Sequence, residues 1–284
     1  MNSLRIGCVK YLNARPLIRG WPAKVDFDHP SSLCKRLASG ELDVALVSSF
    51  EFLRNPIYRI VDNVSISSDG PVYSVVVAHR RAISKIDEIK LDPASQTAVN
   101  LLRCLLAELG IEPRLVAGVP GSAGCEPAVP VSPPQDGFAV ANFSATPGAR
   151  LLIGDQAIRF RQDQADEFQF WDLGEAWKKL IGLPFVYAIW LIRPEIADAK
   201  KIANQLRALR DGNLGDLGQL ITDAVAGVVE ASHPKITREF FSRYYREYLR
   251  FSFGEKEKEG LQTFANLCAK HGLLEKRILA FNVV

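Results

Sequence analysis

The chain has 284 residues, is 48% hydrophobic and 24% charged, and carries a net charge of +3 from 35 basic and 32 acidic side chains. Those proportions belong to a soluble globular protein with room for about two domains and their own cores. Near-balanced charge argues against nucleic acid as the main partner, and no apolar run approaches the ~18 residues of a membrane span.

Residues 4–9 form a short apolar run that predicts a buried strand, followed by a polar loop over 10–16. Pro16 suits the first turn of a helix beginning at about residue 17. Residues 25–27 predict a second strand, and residues 33–39 a helix opened by Pro30-Ser31-Ser32 and stopped by Gly40. Residues 43–47 predict a third strand, with Ser48 and Ser49 at its end and a helical turn at 50–53. This strand–helix alternation favours a parallel sheet covered by helices. Strands follow at 59–66, 72–78 and 88–91, then a long helix over 98–109 ended by Gly110. Residues 117–135 are rich in Pro, Gly, Ala and Ser and read as loop with one short strand. Residues 151–153 and 185–192 predict buried strands. Four amphipathic helices close the chain, at 197–210, 214–231, 237–250 and 256–271.

Two strands, 72–78 and 185–192, lie where the chain can pass between domains. The expected fold is an α/β clamp of two domains joined by two crossover strands. Residues 1–84 plus 185–284 form the first domain and 85–184 an inserted second one. Ligands of such sheets bind beyond the carboxyl ends of the strands.

The polar clusters fall at those ends: Asn13; Ser48 and Ser49; Ser68 and Asp69; Ser95, Gln96 and Thr97; and Asp155. A helix start at Ser95–Thr97 offers free N–H groups and a positive dipole end to a carboxylate. Each cluster also has a purely local reading. Ser95 can cap its own helix, Asn13 and Ser68 can serve turns, and Asp155 can cap the helix after its strand. There is no GxSxG elbow, no GxxxxGK[ST] loop and no GxGxxG after the first strand. Four histidines, His29, His79, His233 and His271, lack ligand-spaced partners and avoid the cleft loops, which argues against zinc and against imidazole acid–base catalysis. Cys8, Cys34, Cys104, Cys125 and Cys268 are scattered without a CxxC pair, fitting a reducing compartment, with Cys8 read as core. No basic segment followed by a long apolar run opens the chain, so the expectation is a cytoplasmic protein.

Seven ordered motifs resemble the chorismate dehydratases of the futalosine route to menaquinone. They are the segments at 5–17 (Arg-Ile-Gly-Cys-Val-Lys-Tyr-Leu-Asn-Ala-Arg-Pro-Leu), 40–49, 68–75, 91–97, 151–155 (Leu-Leu-Ile-Gly-Asp), 172–177 and 182–185. The resemblance implies a periplasmic-binding-protein-like type II fold and a cofactor-free lyase, which removes water from chorismate to give 3-[(1-carboxyvinyl)oxy]benzoate. It carries over Asn13 and Ser74 as catalytic residues. Asn13 would orient the leaving hydroxyl or the ether, and Ser74 would position the proton acceptor. That acceptor is either the substrate's own enolpyruvyl carboxylate or Asp155. Ser48, Ser49, Ser68, Ser95, Gln96 and Thr97 would bind the dianion without a metal. The sister enzyme that makes 1,4-dihydroxy-6-naphthoate opens on a different motif and uses a cleft histidine, whereas this chain has none between His79 and His233.

The chain departs from the family pattern between 119 and 150, where Pro120, Pro127, Pro130, Pro133, Pro134 and Pro147 stand in place of an Ala-, Leu- and Glu-rich helix around Asn142. Rival readings are a non-catalytic binding clamp and the effector domain of a regulator. The implied partner is a small molecule, with neither nucleic acid nor membrane. Phe240, Phe241, Tyr244, Tyr245, Tyr248 and Phe251 fit either a core or the face of a homodimer.

Overall fold

The computed structural model describes residues 4–92, 94–118, 148–230 and 236–284. The proline-rich stretch from 119 to 147, with Cys125 and Asn142, lies outside the described residues, as does His233.

The chain opens with β1 (Ile6–Cys8), a tight 3₁₀ turn (Leu12–Ala14) and α1 (Arg15–Ile18), with Pro16 in its first turn. Then come β2 (Val25–Phe27), α2 (Pro30–Ser39), β3 (Val44–Ser48), α3 (Ser49–Arg54) and β4 (Arg59–Ser68). After β5 (Val75–His79) and β6 (Glu88–Leu91), α4 (Gln96–Glu108) starts two residues earlier than periodicity suggests, because Ser95 is its N-cap. β7 (Arg114–Ala117), β8 (Ala149–Ile153), α5 (Gly154–Asp163), β9 (Gln169–Asp172) and α6 (Leu173–Ile181) lead into β10 (Phe185–Ile192). The tail holds α7 (Ala199–Gly215), α8 (Leu217–Glu230), α9 (Arg238–Arg243), a π-helical turn (Tyr244–Tyr248) and α10 (Glu255–Lys270).

Among the described residues, two five-stranded mixed sheets result, ordered β2-β1-β3-β10-β4 and β7-β6-β8-β5-β9. In the first, β1, β2 and β3 are parallel, and β10 runs antiparallel between β3 and β4. In the second, β6, β7 and β8 are parallel, and β5 runs antiparallel between β8 and β9. β3, β5 and most of β10 are buried along their length, so they read as continuous apolar runs rather than alternating ones. Residues 75–79, most of the crossover strand expected over 72–78, lie in the middle of the second sheet.

The expected single helix over 237–250 stops short. After the π turn the backbone becomes extended, and Arg250 exchanges hydrogen bonds with Ser67 of β4. The outer edge of β4 is thereby covered twice: Ser67 N–H donates to Arg250 O at 2.9 Å, and Ile60 N–H donates to Asn282 O at 2.8 Å. β7 and β9 went unpredicted because each is a four-residue edge strand without a clean alternation.

One hydrophobic cluster runs through both sheets. It includes an aromatic knot at the second crossing. Trp177 of α6, Phe185 of β10 and Phe264 of α10 are fully buried, with the Phe185 centroid 5.0 Å from each of the other two. Burying three such rings dominates the local energetics, since each removes a large apolar area from water. In the tail, Phe241, Tyr244, Tyr245 and Phe251 are buried within the chain itself.

Candidate active site

The hydroxyl residues predicted at two strand ends meet across the seam between the sheets. Ser48 ends β3 and Ser49 opens α3, while Thr97 lies in the first turn of α4. Ser48 Oγ bonds Thr97 Oγ1 and accepts the Thr97 backbone N–H at 3.2 Å. Thr97 Oγ1 also accepts the Phe50 N–H at 3.1 Å and lies 3.3 Å from Ser49 Oγ, which donates to Val186 O at 2.7 Å. All three side chains are buried. The N-terminal ends of two helices thus converge on a knot of neutral hydroxyls. It satisfies the orphan N–H groups that such ends carry.

Beside this knot, Ser95 accepts the Ala98 N–H at 3.2 Å, the local capping role. Gln96 Oε1 is buried and accepts no hydrogen bond among the described residues. A buried amide oxygen without a donor costs about 1–3 kcal/mol, so it marks a place prepared for one.

A second group forms where the loop after β1 meets the start of α5. Asn13 sits in the 3₁₀ turn, and its Oδ1 is likewise buried and unpartnered among the described residues. Its neighbour Leu12 donates its N–H to Asp155 Oδ1 at 2.9 Å. Burial pushes the Asp155 carboxyl up to about 6, against the Leu12 N–H and the charges of Arg159 and Arg15, which pull it down. A carboxyl poised there can give or take a proton near neutral pH. Gly154 is left-handed at φ +55, and a Cβ on it would come within 3.1 Å of the Tyr11 ring. Glycine therefore lets the two loops approach.

Ser74 joins this group from the crossing ahead of β5. Its carbonyl accepts the Gly154 N–H at 2.8 Å, and its Oγ accepts the Tyr244 hydroxyl at 2.8 Å. Tyr245 donates its hydroxyl to Leu12 O at 2.9 Å. Asn13, Ser74 and Asp155, which lie far apart in the chain, thus share one neighbourhood linked by backbone hydrogen bonds.

Ser68 lies further along the crossing. Its hydroxyl donates to Gly70 O at 3.0 Å and meets the Tyr187 hydroxyl at 3.1 Å. Close by, Asp172 caps α6 by accepting the N–H groups of Gly174 and Glu175 at 3.0 and 3.1 Å. It also accepts those of Val72 and Tyr73, at 3.1 and 2.8 Å. Tyr73 itself is left-handed at φ 66. One carboxylate ties both passages of the chain between the sheets. Asp172, Tyr187, Tyr244 and Tyr245 are the residues that sequence reasoning did not assign to the site. The signal for Asp172 was the motif at 172–177, but its second pair of donors is a hundred residues away. Two cavities, of about 380 and 350 Å³, lie elsewhere, beside Arg207 and beside Asn266, and neither is lined by any of these residues.

The profile of the family described as Menaquinone biosynthesis matches residues 4–270, nearly the whole chain. The chain belongs to that family. Among its relatives is a protein named chorismate dehydratase from Thermus thermophilus, 28% identical over 278 residues that cover 92% of this chain and 93% of that one. Among solved structures, the alkanesulfonate-binding protein SsuA of Xanthomonas axonopodis pv. citri aligns with a TM-score of 0.66 at 19% identity, covering 99% of this chain and 97% of that one. The Candida albicans CA3427 product, described as having the generic periplasmic binding protein fold, aligns with a TM-score of 0.58 at 14% identity over 100% and 96% of the two chains. The fold is therefore periplasmic-binding-protein-like, with two mixed α/β sheets, as the resemblance implied. Among the described residues, no helix is long and apolar enough to cross a membrane.

Proposed function

We propose that this chain removes water from chorismate to give 3-[(1-carboxyvinyl)oxy]benzoate, a step in menaquinone biosynthesis. The observation that carries the reading is the cluster of Asn13, Ser74 and Asp155 in a member of that family. Chorismate is a dianion whose ring becomes aromatic once it loses the hydrogen beside the ether and the neighbouring hydroxyl. The driving force is internal, so the protein needs mainly to hold one pose and move one proton. Asn13, whose Oδ1 is unpartnered among the described residues, orients the leaving hydroxyl or the ether, and the proton taken from the ring carbon ends on the departing hydroxyl, which leaves as water. Ser74 positions the group that takes the ring proton. That group is the substrate's enolpyruvyl carboxylate or, alternatively, Asp155. Ser48, Ser49, Ser68, Ser95, Gln96 and Thr97 are read as the surroundings of the substrate's acidic groups.

We read the two sheets as two units joined between Ser68 and Val75 and again between Asp172 and Phe185. The balanced charge supports a small-molecule partner rather than nucleic acid, and we assign the reaction to the cytoplasm. The test is incubation of the pure protein with chorismate. The expected product is lighter by one water and absorbs as an aromatic. Loss of pyruvate, or unchanged chorismate, refutes the reading, and unchanged chorismate returns the chain to the passive-clamp alternative. Turnover by Asp155→Asn then chooses the base: near-normal turnover leaves the substrate carboxylate as the acceptor.

A further inference from the structure

The π-helical turn Tyr244–Tyr248 is an unusual feature of the tail. Such turns are rare and gather at functional sites. This one presents two consecutive buried tyrosines toward the two sides of the candidate site. Tyr244 donates its hydroxyl to Ser74 Oγ at 2.8 Å, ahead of the second sheet's β5. Tyr245 donates its own to Leu12 O at 2.9 Å, after the first sheet's β1 and next to Asn13. Both rings are held from behind. Tyr244 stacks on Phe240 at 5.6 Å and Tyr245 on Phe241 at 6.1 Å, each one turn back along the tail. Stacked rings leave the hydroxyls little freedom to seek other partners.

The direction of the Tyr244 bond has a chemical consequence. A serine hydroxyl has one hydrogen to give and two lone pairs to accept with. With Tyr244 donating to Ser74 Oγ, the serine hydrogen points away from the tyrosine. The acceptor it finds within the protein is Val72 O at 3.4 Å, a long contact within its own turn. A substrate oxygen can replace that contact at little cost. Burial raises both phenols above their usual range, and the nearby Asp155 charge acts in the same direction, so both remain protonated donors.

We propose that Tyr244 is a positioning residue that commits the Ser74 hydroxyl to donate toward a substrate oxygen, while Tyr245 holds the turn that carries Asn13. The inference rests on the dehydratase reading above and adds residues from a third part of the chain to it. The turn acts on both sheets at once, so the tail helps to set the spacing between Ser74 and Asn13.

The test compares steady-state dehydration of chorismate by the wild type, Tyr244→Phe, Ser74→Ala and the double variant, and by Tyr245→Phe with and without Asn13→Ala. Tyr244→Phe keeps the stacked ring. It should lower kcat about ten- to a hundredfold with KM changed less than about threefold, as expected when an interaction specific to the transition state is lost. The double variant should be no slower than Ser74→Ala alone, because the tyrosine acts through the serine. Tyr245→Phe should likewise add nothing to Asn13→Ala. Wild-type kcat in Tyr244→Phe overturns the inference, and so do effects that multiply in the double variants. If Tyr244→Phe does not fold, the Tyr245→Phe and Asn13→Ala pair decides by the same criterion. A wild type inactive on chorismate refutes the dehydratase reading and this inference together, whereas an active wild type with an unaffected Tyr244→Phe refutes the inference alone.

Discussion

Asp155→Asn separates the energetic cost of a buried charge from its chemical use. The asparagine keeps an oxygen where Leu12 N–H donates at 2.9 Å, and it removes the charge. A carboxyl whose pKa rises from 3.8 to about 6 on folding binds its proton more tightly in the folded state. Its contribution therefore favours folding below about pH 4, is lost as pH rises to about 6, and stays lost above that. At about 1.4 kcal/mol for each tenfold change in proton affinity, the rise is worth at most about 3 kcal/mol. The group is only partly buried, and solvent screening leaves about 1–2 kcal/mol. Urea unfolding of the wild type and Asp155→Asn at pH 4.5 and pH 8 measures it. The variant should gain about 1 kcal/mol on the wild type between the two pH values, because only the wild type charges the site and about two thirds of the effect falls above pH 4.5. An unchanged difference, or a variant that loses ground at pH 8, would show that Arg15, Arg159 and the Leu12 amide stabilise the charge by at least as much as burial costs. The reasoning about Asp155 would then fail.

Asp172→Asn leaves one acceptor oxygen for four converging N–H groups and should cost about 2–4 kcal/mol in denaturant midpoints, since orphaned buried donors carry their full desolvation penalty. Gly174→Ala puts a Cβ 2.6 Å from Gly70 O and 2.7 Å from the Tyr187 hydroxyl. Its thermal midpoint should fall by the equivalent of about 1–3 kcal/mol, the usual cost of overpacking, and an unchanged midpoint would mean the crossing has slack.

The grouping of the candidate polar residues was legible because polar residues at the ends of apolar strands have few other places to go. Ser48, Ser49 and Thr97 were singled out on position alone, and the structure brings them into contact. The sequence could not say that they would bond one another, since nothing local pairs residues separated by about fifty positions. Tyr244 and Tyr245 were ambiguous for a different reason. Aromatic side chains at helical spacing fill a core and build a site with the same pattern, and only the hydroxyl partners distinguish the two. Residues 75–79 pair in the second sheet rather than the first, and their sequence could not show it, because a run of valines and alanine fits the centre of either one. Sheet membership is set by long-range partners, here β8 and β9, which lie about seventy to a hundred residues downstream.

The position of β10 bears on how the chain is made. β4 is complete at Ser68, but the strand that pairs with it begins only at Phe185, and the segments covering its other edge come at Arg250 and Asn282. On a ribosome delivering about 5–20 residues per second, β4 spends several seconds with both edges unpaired. Bare strand edges recruit other strands, including those of neighbouring nascent chains. The period of greatest aggregation risk is therefore set by the order of the strands, and it closes only once the segments at Arg250 and Asn282 have emerged.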